Sequence, residues 1–121
     1  MRKILVVDDA KVIRMVIKQI LTRNGYEIAG EAGNGKEALE KYKELRPDAV
    51  TMDIIMPESD GIQGLREILA FDKQAKVIMI SAIDQRDSLT DAIRSGATDY
   101  VVKPFEDDCM IAALKNIFGE A

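Results

Sequence analysis

Short apolar runs alternate with helical patterns along the 121 residues of this chain, and this alternation constrains the fold more than any other feature. Because these runs carry no polar face, they indicate strands that are buried on both sides, as in a parallel sheet. The sequence therefore predicts an α/β fold in which a helix follows each strand. The predicted strands lie at residues 3–7, 26–31, 49–53, 76–81 and 99–103.

The segments between the strands carry apolar residues at the spacing of helices that bury one face. Asn34 and Glu37 predict a helix start, Asn24-Gly25 predicts a helix end, and Pro57 to Gly61 predicts a loop. Both faces of the sheet are then covered, which predicts a doubly wound domain. The five predicted helices lie at residues 11–23, 34–45, 62–71, 87–95 and 106–118.

Composition excludes several classes of protein. The chain has no histidine, which excludes a Ser-His-Asp triad, a Cys-His dyad, histidine-ligated zinc and a phosphohistidine carrier. Its single cysteine, Cys109, cannot form an internal disulfide or a cysteine-only zinc site. The net charge of -4 gives no general attraction to nucleic acid. No apolar run is long enough for a signal peptide or a membrane span, so we expect a cytoplasmic protein without membrane insertion.

Polar side chains stand at the ends of four of the five predicted strands. Asp8 and Asp9 follow the first strand, and Asp53 ends the third. Ser81 ends the fourth strand and Lys103 ends the fifth. The carboxyl ends of parallel strands share one edge of the sheet, where open α/β sheets bind their ligands. We therefore expect three carboxylates, a hydroxyl and an ammonium group to meet at this edge.

This combination of groups suits phosphoryl transfer assisted by a metal ion. Three close carboxylates repel one another unless a cation is present, and a site with few oxygen ligands suits Mg²⁺. A lysine can bind a phosphoryl oxygen as a point charge, and a carboxylate beside both cations can attack phosphorus to form an aspartyl phosphate. The serine hydroxyl can donate a hydrogen bond to the phosphoryl group once it is in place.

These strand ends resemble the receiver domain of two-component response regulators. The resemblance covers essentially the whole chain and implies one receiver domain at 1–121, with no output domain. Among receivers, the chain is most similar to the stand-alone regulators of chemotaxis. The matching motifs are Val7-Asp8-Asp9, Met52 to Pro57, Asp60-Gly61, Ile80-Ser81-Ala82, Gly96-Ala97 and Val102 to Phe105.

The resemblance implies a flavodoxin-like sheet with strand order 2-1-3-4-5 and assigns the acidic residues. Asp53 is the expected phosphoacceptor. Mg²⁺, or Mn²⁺ in its place, is expected to bind Asp9, Asp53 and the backbone carbonyl of Ile55. Asp8 is expected to act mostly through a metal-bound water.

The resemblance also assigns the residues around the phosphoryl group. Lys103 is expected to bind this group, and Ser81 is expected to donate a hydrogen bond to it after phosphorylation. Tyr100 is the expected switch residue, turning inward into space vacated near Ser81. A cis peptide bond between Lys103 and Pro104 is expected to aim the lysine at the site.

The implied partners follow from the same resemblance. A histidine kinase or a histidine phosphotransfer protein is the expected donor, and phosphorylation-dependent binding of the flagellar motor switch is the expected output. The alternative is a phosphorelay intermediate or a regulator of another enzyme or kinase. We expect a monomer or a weak phosphorylation-dependent dimer that catalyses only its own phosphorylation and dephosphorylation and binds no nucleic acid.

Two apolar residues depart from the pattern of many receivers. Ile55 lies two positions after Asp53, and Ile83 lies two positions after Ser81. Many receivers carry polar groups there that influence the attack of water on the phosphate. Because isoleucine cannot orient a water by hydrogen bonding, we hypothesise a slowly decaying phosphorylated form that a separate phosphatase resets. The segment from Ile83 to Arg86 also differs from the chemotaxis pattern, which leaves the motor target open.

The predicted helix at 11–23 is basic, with Lys11, Arg14, Lys18 and Arg23 and no acidic residue. Beside an acidic site, such a helix fits a docking surface for a kinase or phosphotransfer helix bundle. It fits an ordinary solvated face equally well. The sequence leaves both interpretations open.

Two other classes of protein share part of the pattern. Phosphohydrolases of the haloacid dehalogenase type also form an aspartyl phosphate at a strand end, but they need an acidic residue where this chain has Ile55. Flavodoxin-like cofactor binders need a Ser, Thr or Gly loop after the first strand, where this chain has Asp8-Asp9-Ala10. Both classes fit the sequence less well than a receiver.

Overall fold

A computed structural model describes residues 2–56 and 59–120 of the protein. Helices and strands alternate through this part of the chain, as the apolar periodicity predicted. The helices are α1 (Lys11–Arg23), α2 (Gly35–Leu45), α3 (Gly61–Phe71), α4 (Arg86–Arg94) and α5 (Asp107–Phe118). The strands are β1 (Lys3–Val7), β2 (Glu27–Ala32), β3 (Ala49–Asp53), β4 (Ile55–Met56), β5 (Ser59–Asp60), β6 (Val77–Ala82) and β7 (Asp99–Lys103).

Five of these strands form one parallel sheet in the order β2-β1-β3-β6-β7. Counting only these five strands, this is the predicted order 2-1-3-4-5, and the flavodoxin-like fold is confirmed. The other two strands, β4 and β5, pair with each other in an antiparallel hairpin. No helix among the described residues is long and apolar enough to cross a membrane.

The core lies on both faces of the sheet because side chains alternate along each strand. From β1, Leu5 and Val7 join one buried cluster, which also takes residues from α2 and α3. Ile4 and Val6 join the other cluster, which takes residues from α1 and α5. All four side chains are fully buried, so this interior strand carries no polar face, and the apolar run in the sequence has a direct structural cause.

The predicted loop from Pro57 to Gly61 is wrong in part. Residues 59–60 form β5 and α3 begins at Gly61, whereas positions 57 and 58 lie outside the described residues. The helix starts early because the Asp60 carboxylate caps it, accepting a hydrogen bond from the Ile62 backbone N–H at 2.8 Å. The other predicted boundaries agree with the structure to within one residue.

Gly61 holds the hairpin against the end of β3. Its backbone N–H donates to the carbonyl of Ile54 at 2.7 Å. A Cβ atom at this position would lie only 2.0 Å from the backbone oxygen of Asp53. Glycine at this position therefore allows the backbone of the hairpin to lie directly against the backbone of Asp53 and Ile54.

Candidate functional site

Strand order brings the predicted polar residues to the carboxyl edge of the sheet. Asp8 and Asp9 directly follow β1, and Asp53 ends the neighbouring strand β3. Oxygen atoms from the three carboxylates all lie within 4.8 Å of one another. Lys103 ends β7, and its Nζ lies 3.5 Å from Asp53 Oδ2 and 3.9 Å from Asp8 Oδ2. We call these four residues the acidic site.

Two carboxylates of the acidic site are buried. Asp8 is 1% exposed and Asp53 is 7% exposed, whereas Asp9 is exposed. Burial raises the pKa of both buried aspartates, and the charges of neighbouring aspartates raise it further. The Lys103 ammonium opposes these effects without cancelling them. The protein alone therefore leaves negative charge at this edge incompletely balanced.

Hydrogen bonding shows the same imbalance at Asp8. Its Oδ1 accepts a hydrogen bond from the backbone N–H of Ala10 at 2.9 Å. Its Oδ2 is buried and has no hydrogen-bond partner among the described residues. A buried carboxylate oxygen without a donor, beside two more carboxylates, fits a hard cation with oxygen ligands such as Mg²⁺.

Ser81 lies on β6, which pairs with the strand of Asp53, and Tyr100 lies on β7, the next strand along the sheet. Ser81 is 1% exposed, and its hydroxyl donates to the carbonyl of Ala82 at 2.9 Å. Tyr100 is 47% exposed. A cavity of about 360 Å³ lies beside both side chains and is also lined by Leu89 and Val102. The tyrosine thus stands at the surface, next to a space that reaches the serine.

The remaining predicted residues lie around this edge. The peptide bond between Lys103 and Pro104 is cis. The side chains of Ile55 and Ile83 are 56% and 70% exposed. Both isoleucines line an open depression of about 660 Å³ together with residues 84–88. Two exposed apolar side chains thus stand where many receivers carry polar groups.

Two functional contacts were missed by the reasoning from sequence. Gln85 Oε1 accepts a hydrogen bond from the backbone N–H of Ala82 at 2.7 Å, which ties the loop after β6 to the start of α4. Arg14, assigned above to a docking surface or a solvated face, donates to the backbone carbonyl of Asp8 and to the carboxylate of Glu31. No signal in the sequence singles out Arg14, because Glu31 lies 17 residues away along the chain.

Comparisons with known proteins agree with this geometry. Residues 4–115 match the response regulator receiver domain family. The chain is 51% identical to the chemotaxis protein CheY of Thermotoga maritima over 116 residues, which are 96% of this chain and 97% of that protein. It is also 51% identical to protein CcdB of Bacillus subtilis over 119 residues, which are 98% of this chain and 99% of that protein.

Solved structures give the same result. A complex of CheX, CheY, BeF₃ and Mg²⁺ from Borrelia burgdorferi contains a chain that is 38% identical and superposes with a TM-score of 0.91. The superposition covers 97% of this chain and 89% of the other. Fold, strand-end residues and sequence similarity over nearly the full length therefore agree. The chain belongs to the family of response regulator receiver domains.

Proposed function

We propose that Asp53 accepts a phosphoryl group from a histidine kinase or a histidine phosphotransfer protein. Placement of the Lys103 ammonium 3.5 Å from the Asp53 carboxylate carries this proposal. A cation at that distance can balance charge on phosphoryl oxygens as they approach the carboxylate. The protein is then a cytoplasmic signalling protein that acts catalytically only on its own phosphorylation and dephosphorylation.

The acidic site would hold the metal ion that this reaction needs. Asp8, Asp9 and Asp53, with the backbone carbonyl of Ile55, would bind Mg²⁺ or Mn²⁺. When bound, the ion supplies positive charge that neutralises the phosphoryl oxygens. The Oδ2 of Asp8 supports this proposal, because it is buried without a hydrogen-bond donor among the described residues and the Lys103 ammonium lies 3.9 Å away, beyond hydrogen-bond distance.

The transfer itself needs little from the protein beyond positioning. An Asp53 oxygen attacks phosphorus, the bond from phosphorus to the donor histidine nitrogen breaks, and that nitrogen keeps the electron pair. Burial raises the pKa of Asp53, so the cations also keep the attacking carboxylate charged. Lys103 then stays beside the phosphoryl oxygens of the product.

Ser81 and Tyr100 would transmit the change. The Ser81 hydroxyl now donates to the carbonyl of Ala82, and it would leave this bond to donate to the phosphoryl group. Its movement would enlarge the cavity of about 360 Å³ beside Tyr100. The tyrosine, now 47% exposed, would turn into that space and change the surface offered to a partner.

The proposed output is chemotaxis, through phosphorylation-dependent binding of a flagellar motor switch protein. Similarity to the CheY of Thermotoga maritima supports this output. The second candidate is a phosphorelay intermediate or a regulator of another enzyme or kinase. The exposed Ile83 at the start of the loop to α4 favours the second candidate because it departs from the chemotaxis pattern.

Labelling tests the phosphoacceptor. Wild-type protein with Mg²⁺ and radiolabelled acetyl phosphate should take up label, and the Asp53→Asn variant should take up none. Asp48→Asn is the matched control because Asp48 directly precedes β3, at the opposite edge of the sheet from Asp53. Label retained by Asp53→Asn would show that another residue is the nucleophile.

Capture of partners tests the output. The protein is immobilised with Mg²⁺ and beryllofluoride, which takes the place of the phosphoryl group on Asp53. Enrichment of a flagellar switch protein only in the presence of beryllofluoride would support chemotaxis. Enrichment of a kinase or phosphotransfer protein in its place would support the relay, with the chemistry of Asp53 unchanged.

A further inference from the structure

Arg14 connects three elements of the fold at the acidic site. It lies on α1, and its Nη1 donates a hydrogen bond to the backbone carbonyl of Asp8, the residue after β1. Its Nε donates to Glu31 Oε1 on β2 at 2.8 Å. One guanidinium group thus holds the acidic turn against the edge strand of the sheet.

This contact differs from an ordinary surface ion pair. The Arg14 side chain is only 16% exposed, and its donors point to two different acceptors. Glu31 is held from a second side, since Lys18 Nζ donates to its other carboxylate oxygen. These two hydrogen bonds lower the pKa of Glu31, so the anchor stays charged at neutral pH. A planar group with several donors is needed to span both acceptors.

Hydrogen bonds hold three of the four polar atoms of Asp8. Its backbone N–H donates to the carbonyl of Ala32 at 3.1 Å, and its carbonyl accepts from Arg14. Its Oδ1 accepts from the Ala10 backbone N–H. Only Oδ2, which faces the acidic site, has no donor among the residues that the structure describes. These hydrogen bonds hold the Asp8 backbone and Oδ1 in place, while Oδ2 lies toward the acidic site, 3.9 Å from Lys103 Nζ.

We propose that Arg14 is a positioning residue for the cation site, which holds the Asp8-Asp9 turn in the geometry that binds Mg²⁺. Repulsion among three carboxylates within 4.8 Å of one another would otherwise push this turn outward. This inference rests on the proposed metal site and assigns to Arg14 no contact with metal or phosphoryl group. Lys18 supports it indirectly by holding Glu31.

The direction of the change in Mg²⁺ affinity distinguishes a positioning role of Arg14 from an effect of its charge. Arg14 carries a positive charge close to a cation site, so removing that charge alone would tighten Mg²⁺ binding. Removing a positioning contact would weaken binding, because the ligands no longer converge. A change to methionine therefore gives opposite results under the two explanations.

The test measures the Mg²⁺ dissociation constant of the full chain by calorimetric titration. For Arg14→Met we expect binding about tenfold weaker, at the low end for residues that orient metal ligands. Arg14→Lys keeps the charge but cannot span both acceptors, so it should weaken binding in the same direction. Arg23→Met is the matched control, since Arg23 lies on the same helix in an exposed pair with Asp107 and should leave affinity unchanged.

A second readout needs no metal. Amide hydrogen exchange at Ala10 reports whether the turn is held, because this N–H donates to Asp8 Oδ1. Exchange should be faster in both Arg14 variants than in Arg23→Met. If Arg14→Met fails to fold, the comparison of Arg14→Lys with Arg23→Met decides the matter.

The outcomes are distinct. Mg²⁺ binding weakened in the Arg14 variants and unchanged in Arg23→Met supports the positioning role. Binding that is equal or tighter in Arg14→Met overturns this role and leaves the proposed metal site intact. A wild-type protein that binds no Mg²⁺ overturns the metal site and the role of Arg14 together.

Discussion

Acidic side chains lie at both ends of the parallel strands. At the amino ends of the strands, which we call the amino edge, Asp48 and Asp72 have hydrogen-bond donors within the protein. Asp48 accepts a hydrogen bond from the backbone N–H of Lys3 at 2.7 Å. Asp72 accepts one from the Tyr42 hydroxyl at 2.8 Å and one from the Gln74 backbone N–H at 3.0 Å. These hydrogen bonds lower the pKa of Asp72, so its charged form is favoured by the fold.

At the carboxyl edge the effect on the pKa has the opposite sign. Burial raises the pKa of Asp8 and Asp53, and Lys103 offsets this only in part. The fold therefore stabilises the charged carboxylate at one edge and disfavours it at the other. Asp48 and Asp72, which join chain segments, have hydrogen-bond donors within the protein, whereas the two buried aspartates of the acidic site, which we propose to bind Mg²⁺, have their charge only partly balanced.

The largest expected effect comes from removing the only lysine of the acidic site. Lys103→Met should slow phosphorylation by acetyl phosphate about 10²-fold or more, because charge on the phosphoryl oxygens loses its counterion. Lys115→Met, on α5 near the amino edge, should leave the rate unchanged. Rates of label uptake at saturating Mg²⁺ measure both effects. Equal slowing by the two substitutions would show that a lysine at the carboxyl edge contributes no more to phosphorylation than a lysine near the amino edge.

The apolar rim of the carboxyl edge should control how long the phosphoryl group lasts. Ile83→Glu places a carboxylate that can orient water beside the site, so we expect the lifetime of the phosphorylated protein to fall about tenfold. Ile93→Glu changes another exposed isoleucine, on α4, and should leave the lifetime unchanged. Loss of label after removal of the donor gives both lifetimes. A wild-type lifetime of seconds that Ile83→Glu does not alter would contradict the shielding hypothesis.

Opposite changes in stability should follow from neutralising one acid at each edge. Asp8→Asn removes a buried charge and should raise the free energy of unfolding of the metal-free protein by on the order of 1 kcal/mol. Asp72→Asn weakens two hydrogen bonds and should lower it by about 1 kcal/mol. Urea unfolding in the presence of a chelator measures both. Changes of the same sign would remove the distinction between the edges.

The smallest expected effect is the pH dependence of the stability changes caused by Asp8→Asn and Asp72→Asn. Asp8 has a raised pKa, so its destabilisation is present above that value and disappears as pH falls toward the 3.8 of the unfolded chain. Asp72 has a lowered pKa, so its contribution is present above 3.8 and is lost as pH falls through the lower folded value. As pH falls, the gain in stability from Asp8→Asn should therefore shrink at a higher pH than the loss of stability from Asp72→Asn. Unfolding curves across the acidic range test this order.

Much of the fold could be predicted because its signals are repeated. Four of the five strands of the sheet, all except β2, have an apolar run, and each helix has a regular apolar face. The acidic site could be predicted for a related reason, since strand ends such as Asp53 and Lys103 meet at one edge whatever the details of the loops. The hairpin of β4 and β5 could not, because strands of two residues are too short to show a period.

Arg14 shows what limits prediction of the site from sequence. Four basic residues on one helix have the same local pattern, and only the fold distinguishes their partners. Arg14 reaches Glu31, 17 residues away along the chain, whereas Arg23 reaches Asp107, 84 residues away. Such contacts depend on how elements far apart in the sequence pack together, which the apolar pattern of a single element does not define.

Mapping the phosphorylated residue by mass spectrometry tests the central claim most directly. Wild-type protein is treated with acetyl phosphate in Mg²⁺ or in a chelator, and peptides are examined for the added phosphoryl group. The account predicts modification of Asp53 alone, and only with Mg²⁺. Modification of another residue, or modification of Asp53 that is equally efficient in the chelator, would contradict it.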